Sequence, residues 1–126
     1  MSNQMLAKTA FVLDPLQREI VGKTIESLGN TDTWCKGHLA MYKHGFMGGH
    51  RATLFDDPRA TSFCALGWMM KHAVAAGVSR SNARIIADSI DKVFTNHSGT
   101  FIAFVNNDEG REAVIAKLTE LHDLAK

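Results

Sequence analysis

Hydrophobic positions recur at helical spacing in several stretches of the chain, and the polar residues between them mark starts and stops. In "DPLQREIVGKTIESLGN", Leu16, Ile20, Val21, Ile25 and Leu28 form one stripe with Thr24 among them. Asp14 is placed to cap this helix, Pro15 suits its first position, and Gln17 completes a capping box. Gly29 and Asn30 supply a left-handed stop.

A second helix is predicted in "DPRATSFCALGWMMKHAVAAG", with Asp57 as cap and Pro58 in the first turn, running to about Ala76 and ending at Gly77. From Phe63 to Met70 it is apolar nearly all round, which marks a central helix with neighbours on every side. Cys64 falls two turns inside it, on a strip of small residues with Ala60 and Gly67 that lets another backbone approach.

A third helix starts at Ser79 or Ser81, turns Ala83, Ile86, Ile90, Val93 and Phe94 inward, and stops at Gly99. "TFIAFVNND" follows, either extended or as one helical turn. The last helix begins near Asn107, its cap, and carries Asp108 and Glu109 at its positive end. Val114, Leu118 and Leu121 form its core stripe, with Ile115 and Ala125 alongside.

Between the first two helices the periodicity fades. Residues 31–57 contain Gly37, Gly45, Gly48 and Gly49, and only "HLAMYKHG" alternates weakly, as a short strand or helical turn would. A structureless loop this long is uncommon in a compact domain and is usually functional. The expected fold is therefore a mainly α, compact, single-domain bundle of about four helices spanning 1–126. It carries a long Gly-bearing loop at 31–57 and at most one short strand pair.

Composition narrows the function classes. With 126 residues, 45% of them hydrophobic, the chain can bury a real core. Its formal net charge of +1 makes no demand for nucleic acid or an anionic membrane. No apolar run approaches the roughly 20 residues that cross a bilayer. Two cysteines, Cys35 and Cys64, are too few for a disulfide-stapled secreted scaffold, and the first residues do not read as a secretory signal. A cytoplasmic protein with reduced thiols is expected.

Three segments carry a resemblance. "WCKG" at 34–37, "DDPRATSFCALGWM" at 56–69 and "IAFVNNDEGREAVIAKL" at 102–118 resemble a family of small bacterial and phage proteins of unknown function. That family pairs a Trp-x-x-Gly loop with a central Trp/Phe-Cys-Ala-Leu-Gly helix and an Asn-Asp…Gly-Arg turn. The chain departs from this pattern at Trp68, where a small residue is usual, at Asn106 in place of an aromatic, and at Glu112 in place of a threonine. The resemblance implies a fold and a phage or mobile-element setting, and no activity.

Candidate chemistry concentrates in the 31–57 loop. Cys35 lies beside Lys36 and His38, neighbours able to lower a thiol pKa, so a Cys35–His38 hydrolase or transferase is one reading. Cys64, among apolar residues, reads as packing. His38, His44, His50, His72, His97 and His122 raise the question of metal, but no pair has the i, i+4 spacing of a helical zinc site and no Cys-x-x-Cys is present. No metal or cofactor is therefore expected. "GFMGGHR" matches neither phosphate-binding fingerprint.

The leading expectation is a non-enzymatic binding protein. Trp34, Lys36, His38, Tyr42, Lys43, His50 and Arg51, with Arg111 from the last helix, would meet a host or phage protein or a small anionic ligand. The bland reading has Trp34, Phe46 and Phe55 merely covering one end of the bundle. A homodimer interface could absorb the apolar surface of Trp68, Met69 and Met70.

Overall fold

The computed structural model describes residues 12–44 and 49–125; residues 1–11 and Phe46 lie outside them. Among the described residues there are five α-helices and a small antiparallel sheet, and no described helix is long and apolar enough to cross a membrane. The helices are α1 (Pro15–Leu28), α2 (Ala65–Ala75), α3 (Arg80–Ser98), a single turn α4 (Ile102–Phe104) and α5 (Arg111–Leu124). Strands β1 (Ala40–His44), β2 (Gly49–Thr53) and β3 (Ser62–Phe63) are arranged in the order β2-β1-β3.

The first helix forms as its sequence directs. Asp14 accepts from the Gln17 amide at 2.8 Å, and the Gln17 side chain accepts from the Asp14 amide at 2.9 Å, closing the capping box. Ile20, Val21, Thr24 and Leu28 are buried. The stop differs from expectation: Gly29 stays right-handed (φ −65°, ψ −19°) and its N–H bonds back to the Glu26 carbonyl.

Antiparallel helices α1 and α5 are latched at both ends by arginines. Arg18 donates to the carbonyls of His122 (3.0 Å) and Ala125 (2.6 Å), while Arg111 donates to that of Leu28 (2.7 Å). Each guanidinium thus satisfies the orphan carbonyls at the other helix's negative end. This explains a cation at the start of α5, where its own dipole gives it nothing.

Helix α2 is buried along Ala65, Leu66, Gly67, Met69, Met70 and Ala73, in keeping with a central position. It is shorter than its sequence predicts, because Asp57-Pro58 opens a turn instead of a helix. Asp57 accepts from the Thr53 hydroxyl, from the Arg59 amide at 2.9 Å and from the Arg59 guanidinium at 2.9 Å. Arg59, then Thr53, hold its carboxyl well below the usual carboxylate range. The chain then runs extended through β3, and Cys64 is the N-cap of α2, its sulfur accepting from the Gly67 amide at 3.4 Å. Gly67 does admit a backbone, that of Leu39 at the entry to β1.

Trp68 tilts against Phe63 (centroids 4.6 Å apart) and stacks on His72 (5.5 Å), whose Nε2 lies 2.8 Å from the Ser27 hydroxyl of α1. Burial, then the nearby charges of Lys23 and Lys71, lower the His72 pKa, with Glu26 opposing. The folded protein therefore binds fewer protons here than the unfolded chain. Stability from this contact is complete above the unfolded-state value and is lost as pH falls through the folded one. The urea midpoint should drop between pH 7.5 and pH 5, and His72→Gln should remove part of that drop; identical pH profiles would refute the assignment.

Helix α3 matches its pattern, with Ser79 as cap, Ala83, Ala87, Ile90 and Phe94 buried, and Gly99 left-handed at the end (φ 84°). Past it, α4 widens into a π-helical turn over Val105–Glu109, and Gly110 (φ 102°) breaks that turn, so α5 starts at Arg111 and not near Asn107. Asp108 and Glu109 belong to the π turn, and Asn107 caps nothing.

The largest departure is in 31–57, which holds two five-residue strands, β1 and β2. Ala40 pairs with both Thr53 and Phe63, placing β1 in the centre, and Trp34 adds a parallel bridge to Phe63. Three strands make two pairings where at most one short strand pair was expected.

Candidate functional site

The three motif segments meet at one buried side chain, Asn106, fully excluded from solvent. Its Oδ1 accepts from the Trp34 indole at 2.9 Å and from the Ala65 amide at 3.0 Å. Its Nδ2 donates to the Cys35 carbonyl at 3.2 Å and to Asn107 Oδ1 at 3.0 Å. All four of its hydrogen-bonding positions are used. Asn107 Oδ1 also accepts from the Gly37 amide at 2.8 Å, where Gly37 turns with φ 83°. The Trp-x-x-Gly loop, the start of the central helix and the Asn-Asn turn are thereby joined at one point.

Two clefts open beside this junction. One, of about 220 Å³, is lined by His38, Leu39, Cys64, Arg84 and Asn107 among others. The second, of about 430 Å³, shares Leu39 and Arg84 with it and is lined also by Leu54, Phe55, Met70 and Arg80. Both arginines have acidic neighbours: Arg80 pairs with Asp56 at 2.7 Å and Arg84 with Asp88 at 3.2 Å.

The thiols at the junction are chemically quiet. Cys35 is buried, its amide donates to the Phe63 carbonyl, and its Sγ lies 3.5 Å from the His38 carbonyl, within weak donor range. Burial, reinforced by the neighbouring Cys64 thiol, pushes its pKa up to about 11 in spite of a hydrogen bond with Ser62. Burial also raises the Cys64 thiol. A nucleophile needs the opposite shift. Iodoacetamide should thus label native Cys35 much more slowly at neutral pH than it labels the same thiol in urea; rapid native labelling would reinstate the Cys35–His38 chemistry. Among the described residues, no group of three histidine, cysteine or acidic side chains could hold a metal ion.

The β1–β2 hairpin and the loop that leads into it carry cations and no acids. Between Thr33 and Phe55 the sequence has no aspartate or glutamate, yet it carries Lys36, Lys43 and Arg51 and three histidines. Lys36, His38, Lys43, His50 and Arg51 are exposed, and none of them has an acidic partner within ion-pair distance among the described residues. Tyr42 is half-buried, with the Arg59 guanidinium 4.3 Å above its ring.

The expected surface residues therefore divide into three groups. Tyr42 and Arg51 share one face of the hairpin and Lys43 and His50 the other, and Lys36 and His38 sit on the loop that leads into it. Trp34 supports the junction through Asn106, and Arg111 is engaged across the bundle with α1. Asn106 carried no functional signal beyond its departure from the resembled pattern, and nothing in the sequence drew attention to Arg84.

Comparison of the chain with models of protein families, with curated proteins and with solved structures found no match.

Proposed function

We propose that the chain is a small non-enzymatic binding protein that receives an acidic partner protein on its β-hairpin. The observation that carries this reading is the segregation of charge: 23 residues free of acid, from Thr33 to Phe55, carry exposed Lys36 on the loop before the hairpin and exposed Lys43 and Arg51 on its two strands. The molecule as a whole is almost neutral, at +1, so the excess is local. Unpaired arginine and lysine on a surface steer encounter and select partners by sign. The resemblance to small bacterial and phage proteins favours a host or phage protein as that partner.

The test is affinity capture from a bacterial lysate, comparing the native chain with a Lys43→Glu/Arg51→Glu double variant. The native chain should retain a specific partner that is released by salt, because exposed ion pairs are screened within about 10 Å at 0.1 M. The variant should lose it while melting at an unchanged temperature. Equal capture by both proteins would defeat the proposal.

A small anionic ligand is the second reading, supported by the cleft that Arg80 and Arg84 help to line. A ligand-dependent rise in melting temperature that Arg84→Ala abolishes would favour it over the hairpin.

A further inference from the structure

Among the described residues the sheet ends at β2, and the geometry of that edge defines what it offers. Met41 O accepts from the Thr61 amide at 2.9 Å, and Leu39 O accepts from the Cys64 amide at 3.2 Å, so the odd-numbered residues of β1 direct their backbone groups toward β3. Along an extended strand these directions alternate, so Ala40, Tyr42 and His44 face β2. Their register partners are Thr53, Arg51 and Gly49. The intervening residues of β2, His50 and Ala52, therefore point their N–H and C=O groups away from the sheet. No backbone hydrogen bond outside the sheet reaches either residue among the described residues. Gly49 through Ala52 are all exposed.

We infer that β2 is a pairing edge for an extended acidic segment, which adds a fourth strand next to it. The inference rests on the binding role proposed above and specifies its mode of recognition. An incoming strand would hydrogen-bond to His50 and Ala52. The side chain it sets opposite Arg51 lies within reach of the guanidinium, so an acid there forms a cross-strand pair. Lys43 and His50 are opposed in the register and lie on the other face of the sheet.

Charge disfavours one register of pairing with a second copy of this chain. A two-fold antiparallel pairing centred on Arg51 would set that residue against its own copy, and like charges directly opposite each other destabilise a ladder. Asp57, which reaches the end of β2 through Thr53, is already neutralised by Arg59 and does not repel an acidic strand.

The experiment uses the intact chain and a short fluorescein-labelled peptide of alternating glutamate and threonine, with fluorescence anisotropy as the readout. Saturable binding is expected, falling about tenfold or more in affinity for Arg51→Glu. Ala52→Pro removes an outward N–H and leaves the β1 ladder complete, and it should weaken binding by a similar factor. As a second measurement on the native protein, a peptide with N-methyl groups on alternate residues should bind only when its unmethylated edge can face β2. If the two methylated registers and the parent peptide all bind alike, edge pairing is refuted while the charge-based role survives. If binding is absent, or insensitive to Arg51→Glu, both fail. Self-association of the chain through β2, detected by sedimentation and lost on Ala52→Pro, would also overturn the inference.

Discussion

Replacing Gly67 with alanine should destabilise the protein by about 3 kcal/mol or more, near the upper end for overpacking. A Cβ built at this position would lie 2.0 Å from the Leu39 carbonyl oxygen and 3.0 Å from its carbon. Those are backbone atoms, so no rotamer change relieves the contact. Strand β1 would have to move away from α2, and the bond from the Cys64 amide to Leu39 O would go with it. Equilibrium urea denaturation should show the loss, with a melting temperature lower by roughly 10 °C or more. Gly67→Leu should be worse. Gly22 is the internal control: a Cβ there meets only the His122 ring, at 3.6 Å. Since glycine weakens a helix interior, Gly22→Ala should stabilise by about 0.5–1 kcal/mol. Similar effects at the two sites would show that the sheet is not seated on Gly67.

Asn106→Ala is the second large effect, with an expected loss of about 3–5 kcal/mol from buried groups left without partners. Truncation orphans the Trp34 indole N–H, the Ala65 amide and the Cys35 carbonyl together. Asn106→Asp separates this from a simple volume effect, because the shape is kept and the amide donor is lost. A carboxylate there would face the Cys35 carbonyl and Asn107 Oδ1 without a proton to offer, so burial and repulsion would raise its folded pKa. The folded form then binds more protons than the unfolded chain, and stability is lost as pH rises. The gap between native and Asn106→Asp urea midpoints should widen from pH 4 to pH 8. A gap independent of pH would mean that the Asn106 donors do no structural work.

The helical part of the fold was legible because its signals are local. The Asp14/Gln17 box, the Ser79 cap and the Gly99 stop act within a few residues, and the stripes of α1, α3 and α5 repeat with the helical period. The start of α2 was misread for a related reason: Asp-Pro satisfies helix and turn chemistry equally well. The choice was made by Thr53 and Arg59, which take up the Asp57 carboxylate. The sheet was illegible because β2 is exposed on both faces, and a strand with no buried side leaves no alternation to read.

The candidate surface divides along the same line. That the cations of 31–57 would be exposed followed from charge alone. Which cations act together did not, because Arg111 is consumed by a helix terminus and Trp34 by Asn106, neither of them a neighbour in sequence.

The sequence by itself determined three amphipathic helices, an apolar central one and a cationic segment between the first two. Tertiary structure alone decided that this segment supplies two strands of a sheet that ends, among the described residues, at β2, that Cys64 caps a helix, and that Asn106 joins the three motifs. The physical reason is range: capping and periodicity act over one or two turns. Strand pairing, the fit of Gly67 to Leu39 and the satisfaction of a buried amide depend on residues tens of positions apart, which meet only once the core has closed.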